Sequence, residues 1–184
     1  MVRGGHARPV LLIGCLLLAS AFARVAFTQV PPPRGAAVQQ PRVYASMLQV
    51  MRGVLYPASN VIFTAQTDDP AAFKPGTRPS TSSDPFTSTY GGWEAVENSG
   101  LGLAEAANLL IIPRPCANGK PAPIGNADWQ AWVQELRDAG MAAYKAGQAK
   151  NQDVVLEAAD AVSTACLHCH TKYRNVQGGL ASRC

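Results

Sequence analysis

The sequence predicts an all-α protein, an up-down-up-down four-helix bundle with a long loop between helices one and two. Three observations carry this expectation. Aromatic residues make up only 7% of the chain, and little Val/Ile alternation suggests strands. Apolar residues recur at three-to-four spacing in four separate stretches. Pro- and Gly-rich breaks part those stretches. At 184 residues the chain has the length of one ordinary globular domain.

Residues 1–23 read as a secretory signal peptide. Arg3 and Arg8 give a basic start, Val10 to Leu18 an apolar run, and Ala21-Phe22-Ala23 a cleavage site. The run is short for a membrane span. Leu12-Ile13-Gly14-Cys15 resembles a lipoprotein cleavage box. Because the apolar run continues past Cys15, soluble export is the expectation, with lipidation or an uncleaved anchor as its alternatives. Residues 24–40 hold three consecutive prolines and a polar run, which read as a linker. The domain is then 41–184, and its expected location is the periplasm or the secreted fraction.

Helix one is expected over 41–66, with Val43, Met47, Val50, Met51, Val54 and Ile62 on one stripe. Pro41 suits a first helical turn. Pro57 falls inside the pattern, so a kink is expected, eased by the missing Cβ of Gly53. Residues 67–91, rich in Pro, Ser, Thr and Gly, form the long loop. Helix two is expected over 93–112, with Trp93, Val96, Leu103, Ala107 and Leu110 inward and Pro113 and Pro115 stopping it. Helix three starts at an Asn126 cap and ends near Lys150. Its stripe, from Trp129 to Gly147, includes Gly140 and Ala143. Small residues there permit close helix approach or leave room for a bulky group. Asn151 caps helix four, whose seam is Val155, Ala158, Val162, Cys166, Cys169 and Tyr173.

In an up-down-up-down bundle the start of helix one, the loop 113–125 and the end of helix four share one end. Loss of Arg3 and Arg8, with no acidic residue, lowers the formal charge from +4 to +2. No basic stripe remains to argue for nucleic acid, and no membrane contact is expected after signal cleavage.

The stretch Cys166-Leu167-His168-Cys169-His170 carries the chemistry. Covalent haem attachment needs two thiols spaced for the two vinyl groups and an imidazole under the iron. Cys-x-x-Cys-His supplies all three and is the haem c signature. A redox dithiol would want a βαβ context. A zinc site would want two further ligands at compatible spacing. A plain disulfide leaves His170 unexplained. His168 projects off the seam and reads as solvent-exposed. The expected cofactor is therefore one covalent haem c, with iron held by His170.

A haem site near the C-terminus of a fourth helix, written Cys166-x-x-Cys169-His170-x-x-Tyr173-Arg174, resembles the cytochrome c-prime and cytochrome c556 family. The resemblance covers about residues 41–175. It implies a periplasmic four-helix haem protein with His170 as the proximal ligand. The long loop and the proline within helix one depart from the family pattern and suggest a distinct subgroup.

Tyr173 could pack on the porphyrin, and Arg174 could pair with a haem propionate or simply favour the helix dipole. Of Trp93, Trp129 and Trp132, one could stack on the haem edge. Cys116 and Cys184, the other cysteines after the signal, both map to the haem end of the bundle and are expected to form a disulfide. Met47 and Met51, one turn apart at the start of helix one, face the iron's other side. A thioether there would be the sixth ligand, with Met47 preferred; the alternative is core packing by both. No nucleophile–base pair and no paired catalytic carboxylates are evident. The functional expectation is electron transfer with a redox partner protein, not enzymatic catalysis. A five-coordinate haem protein binding carbon monoxide or nitric oxide is the alternative, and a non-haem structural domain a further one. A homodimer stays open.

Overall fold

The computed structural model describes residues 42–73 and 90–184. The expected signal segment, Cys15, the linker, Pro41 and residues 74–89 of the long loop lie outside the described residues. The described residues are all-α. Among them no strand forms, and Pro115 and Pro121 make an isolated antiparallel bridge.

The first helical run begins with α1 (Met47–Val50), not at Pro41 as the sequence reading had it. The reason is local. The Ser46 side chain accepts from the Gln49 N–H, and the Gln49 side chain accepts from the Ser46 N–H. This capping box satisfies two otherwise orphaned donors and sets the start. A π-helical turn, Met51–Leu55, follows and leads into α2 (Tyr56–Thr64). Pro57 has no N–H to offer the Gly53 carbonyl, and its ring crowds that carbonyl. The Tyr56 N–H accordingly reaches back five residues to Met51 O. The proline is thus absorbed by a widened turn. A Cβ at Gly53 would meet nothing within 4 Å, so this glycine is not needed for space.

The described ends of the long loop are ordered by small devices. Asp69 accepts from the Ala71 N–H and opens a 3-10 turn, Pro70–Ala72. Gly92 sits at φ +62°, where a Cβ would lie 2.8 Å from Pro70 O, so both conformation and space demand glycine. Then α3 (Trp93–Ala106) tightens into a 3-10 turn, Ala107–Ile111. Residues 93–112, expected as one helix, therefore change from α to 3-10 geometry at Ala107.

Next come α4 (Ala127–Ala149) and α5 (Gln152–Cys169), parted by Lys150 in the left-handed conformation. Asn151 caps α5 by accepting from the Asp153 and Val154 N–H groups. Asn126 holds the cap position of α4, but its side chain makes no capping bond; it donates to Tyr173 Oη instead. A second π turn, His170–Arg174, ends the run, with the Asn175 N–H bonded to His170 O.

Helix α3 packs along α4 and α4 along α5, while α2 touches both α3 and α5. The core is built from Met47, Ile62, Val96, Leu103, Trp129 and Val162, all nearly or fully buried. The small residues of α4 serve close approach rather than room for a bulky group. A Cβ on Gly140 would lie 2.7 Å from Ala104 N, and one on Gly100 would lie 2.4 Å from Tyr144 N. Gly100, which the sequence reading left unremarked, is the matching half of that contact.

Candidate haem site

The end of the first run and the start of α5 meet where Gln152 Nε2 donates to Ala65 O. At the other end a chain of links runs across the molecule. The Met47 N–H donates to Pro115 O at 2.8 Å. Arg114, itself buried, donates from Nη1 to Ala45 O. Cys116 is bonded to Cys184 in a disulfide, and the Cys184 N–H donates to Tyr173 O. The start of the first run, the 113–125 loop, the C-terminus and the motif turn are therefore stitched to one another.

These elements wall a cavity of about 450 Å³, within the size range of cofactor pockets. Cys166, Cys169, His170, Met47 and Met51 all line it, as do Tyr173 and Arg174. The remainder of the wall is largely apolar, with Leu55, Leu103, Leu110 and Val133. Met47 is fully buried and Met51 partly so. Trp129 and Trp132 reach the wall; Trp93 does not.

Both π turns contribute to this wall, Met51 and Leu55 from one and His170 and Tyr173 from the other. Such turns re-aim the side chains that follow and often occur at functional sites. The seam of α5 runs from buried Val155, Ala158 and Val162 to half-buried Cys166 and Cys169. The periodicity that packs the helix thus delivers both sulfurs to the cavity.

Electrostatics in the cavity keep its donor groups neutral. Burial pushes the Cys166 thiol up. Burial first, then electrostatic coupling to Cys166 and to the Asp128 carboxylate, pushes Cys169 from 9.0 to about 11. Burial, then the Arg174 guanidinium, lowers His170. The thiols stay protonated and the imidazole keeps its lone pair at neutral pH. A dithiol redox enzyme needs the reverse, a thiol with a depressed value. Neutral thiols and a neutral imidazole suit thioether formation and iron ligation. Among the described residues no group of three or more His, Cys, Asp or Glu gathers that could hold a metal ion unaided. The residues present therefore fit haem c, which needs one histidine and two sulfurs beside an apolar void.

Around the motif, Tyr173 stacks edge-on against Trp129 (centroids 5.0 Å apart) and Trp132 (6.0 Å). Its hydroxyl donates to Asp128 Oδ1 at 2.8 Å, and Lys172 pairs with Asp128 Oδ2. Trp129 is anchored by its indole N–H to Leu110 O. His168 is exposed, and its Nδ1 lies 2.9 Å from Glu135 Oε2. Arg174 is exposed, with Nη1 3.4 Å from His170 Nδ1.

Two features escaped the sequence reading. Asp128, which meets Tyr173 and Lys172 from the neighbouring helix, is visible in the sequence only as an acid in the first turn of α4. Arg183 also lines the cavity; its place beside a bridged cysteine was the available signal. No protein-family profile, curated protein or solved structure matches this chain.

Proposed function

We propose that this chain is an exported c-type cytochrome, resembling the cytochrome c-prime and cytochrome c556 family, that carries electrons on one covalent haem. The observation that carries the reading is the convergence of Cys166, Cys169, His170 and Met47 on one apolar cavity. Residues from distant parts of the chain supply the two sides that a haem requires. The up-down-up-down bundle belongs to this proposal. The Gln152–Ala65 link at one end and the shared cavity at the other support an antiparallel pairing of the first helical run with α5.

In this reading Cys166 and Cys169 would hold the porphyrin, and His170 and Met47 would ligate its iron. Tyr173, fixed by Asp128, keeps the motif turn in register. The haem supplies a reversible one-electron couple; the chain supplies ligation, burial and charge. Oxidation and reduction would be completed by a separate redox protein.

A second reading follows from the wall around Met47. Leu48, Leu55 and Leu110 beside it offer no ligand, so if Met47 and its neighbour Met51 both stay packed in the wall, the iron would be five-coordinate and open to carbon monoxide or nitric oxide. One experiment tests both readings. Spectra of the exported protein are recorded oxidised, reduced, and reduced under carbon monoxide. Covalent haem that is low-spin and indifferent to carbon monoxide supports the carrier; high-spin, carbon monoxide-binding haem favours the gas-binding protein. Absence of a haem band that survives denaturation overturns both.

A further inference from the structure

Three arginines line the cavity: Arg52, Arg174 and Arg183. Arg52 and Arg174 are exposed. Arg183 is different. It is half-buried, and its Nε is sealed from solvent with no hydrogen-bond partner among the described residues. A buried cationic donor without an acceptor is costly, and native proteins rarely leave one.

Its position is also constrained. Gly178 and Gly179 both take positive φ, 99° and 62°, and turn the chain back after the motif. Any Cβ on Gly178 would be strained at that φ and would also displace the Ser182 side chain, so this turn favours glycine. Cys184, the next residue after Arg183, is held twice, by Cys116 and by its N–H to Tyr173 O. The tail therefore presents Arg183 to the cavity from a fixed backbone.

We infer that Arg183 is the anion anchor of this cavity, taking a carboxylate carried by an otherwise apolar ligand. On the haem reading, on which this rests, the carboxylate is a propionate. A guanidinium fork matches a planar carboxylate with two parallel hydrogen bonds. Placed against an apolar void, it fixes which edge of the ligand faces the tail.

The test separates the anchor from covalent attachment. The unloaded full-length exported chain is titrated with protoporphyrin IX and, separately, with its dimethyl ester, following porphyrin fluorescence. Wild type should prefer the free acid by about tenfold or more, as a charge-assisted hydrogen bond predicts. Arg183→Gln should lose most of that preference and Arg183→Lys keep part of it, with helicity by circular dichroism confirming that each variant is folded. Equal affinity for acid and ester in wild type, an undiminished preference in Arg183→Gln, or no porphyrin binding at all would overturn the inference. A wild type that prefers the free acid but never carries covalent haem when exported would instead refute the cytochrome reading and leave the anchor standing. In the haem-loaded protein, Arg183→Gln should lower the reduction potential and move its propionate-linked pH break upward, since the lost cation favoured both the reduced iron and the ionised carboxyl. A purely structural role for Arg183 would leave that break where it is.

Discussion

Replacing Met47 by leucine and by alanine separates two jobs that one side chain can perform. Met47 is fully buried at the start of the first helical run and lines the same cavity as the motif. Leucine keeps nearly the same volume, so Met47→Leu should cost less than about 1.5 kcal/mol. Alanine removes most of the side chain, and such truncations cost about 2–5 kcal/mol. The upper half of that range is expected, because the neighbourhood cannot close in. The Met47 N–H is pinned to Pro115 O, and the adjoining loop is tethered through Cys116. The vacated volume would simply enlarge a cavity of about 450 Å³. Urea unfolding of the unloaded chain reads this packing term. If the chain carries haem as proposed, spectra of the loaded protein read ligation: both variants lack the Met47 thioether, so both should become high-spin and bind carbon monoxide. The pattern sought is therefore leucine stable but altered in spectrum, alanine unstable and altered in spectrum. A low-spin spectrum that persists in Met47→Leu and vanishes in Met51→Leu would move the ligand one turn along. A wild type already high-spin would refute ligation outright, and a Met47→Ala cost below about 1 kcal/mol would refute the packing argument.

Gly140→Ala should destabilise the protein by about 1–3 kcal/mol or more, measured by thermal or urea unfolding, because its Cβ would strike the α3 backbone at Ala104; wild-type stability would mean that the two helices separate freely. The Cys116→Ser, Cys184→Ser double variant releases a loop of 68 residues. Loop-closure entropy sets the loss at about 4 kcal/mol, and a change under 1 kcal/mol in urea would show that the tail contributes little constraint. Lys172, then Tyr173, holds the Asp128 carboxyl below its ordinary 3.8. A depressed carboxylate contributes stability that is present above the ordinary value and lost as pH falls through the folded one. The stability gap between wild type and Asp128→Asn should therefore be full at neutral pH and close in acid. A gap independent of pH would remove the ion pair from the explanation.

Much of this architecture was legible because helical packing leaves a periodic trace. The α5 seam, from Val155 through Tyr173, could be read straight from its three-to-four spacing, and that spacing also carried Cys166 and Cys169 to the wall. Stop and start signals such as Asn151 and Pro113 worked because their chemistry is local. The misses arose where a local signal met a tertiary one. Pro41 looked like a first turn, yet the Ser46–Gln49 capping box sets the start. Pro57 was read as a kink, but whether a proline bends a helix or widens it into a π turn depends on how the neighbouring turns pack. Asn126 reads as a cap, and a tyrosine from a segment 47 residues away claims its side chain. Arg183 had no periodic context at all; its meaning comes from a turn of two glycines and a cross-link.

The four cysteines of the described residues must reach opposite fates. Cys116 and Cys184 are joined, whereas Cys166 and Cys169 remain thiols, although Cys184 borders the same cavity as both. Four cysteines allow three complete pairings, and every one of them consumes the motif. Oxidation attacks through the thiolate. At neutral pH, moving Cys169 from 9.0 to about 11 leaves it about a hundredfold poorer in thiolate than an exposed cysteine. In an oxidising compartment folding would thus slow oxidation at the motif, leaving its half-buried pair as reduced sulfur through the interval in which a vinyl group could still claim it. Unfolding or a cavity mutation that wets Cys169 would erase that delay. Defects of this kind would appear as mispaired protein accumulating during maturation, even where the finished fold is barely weakened.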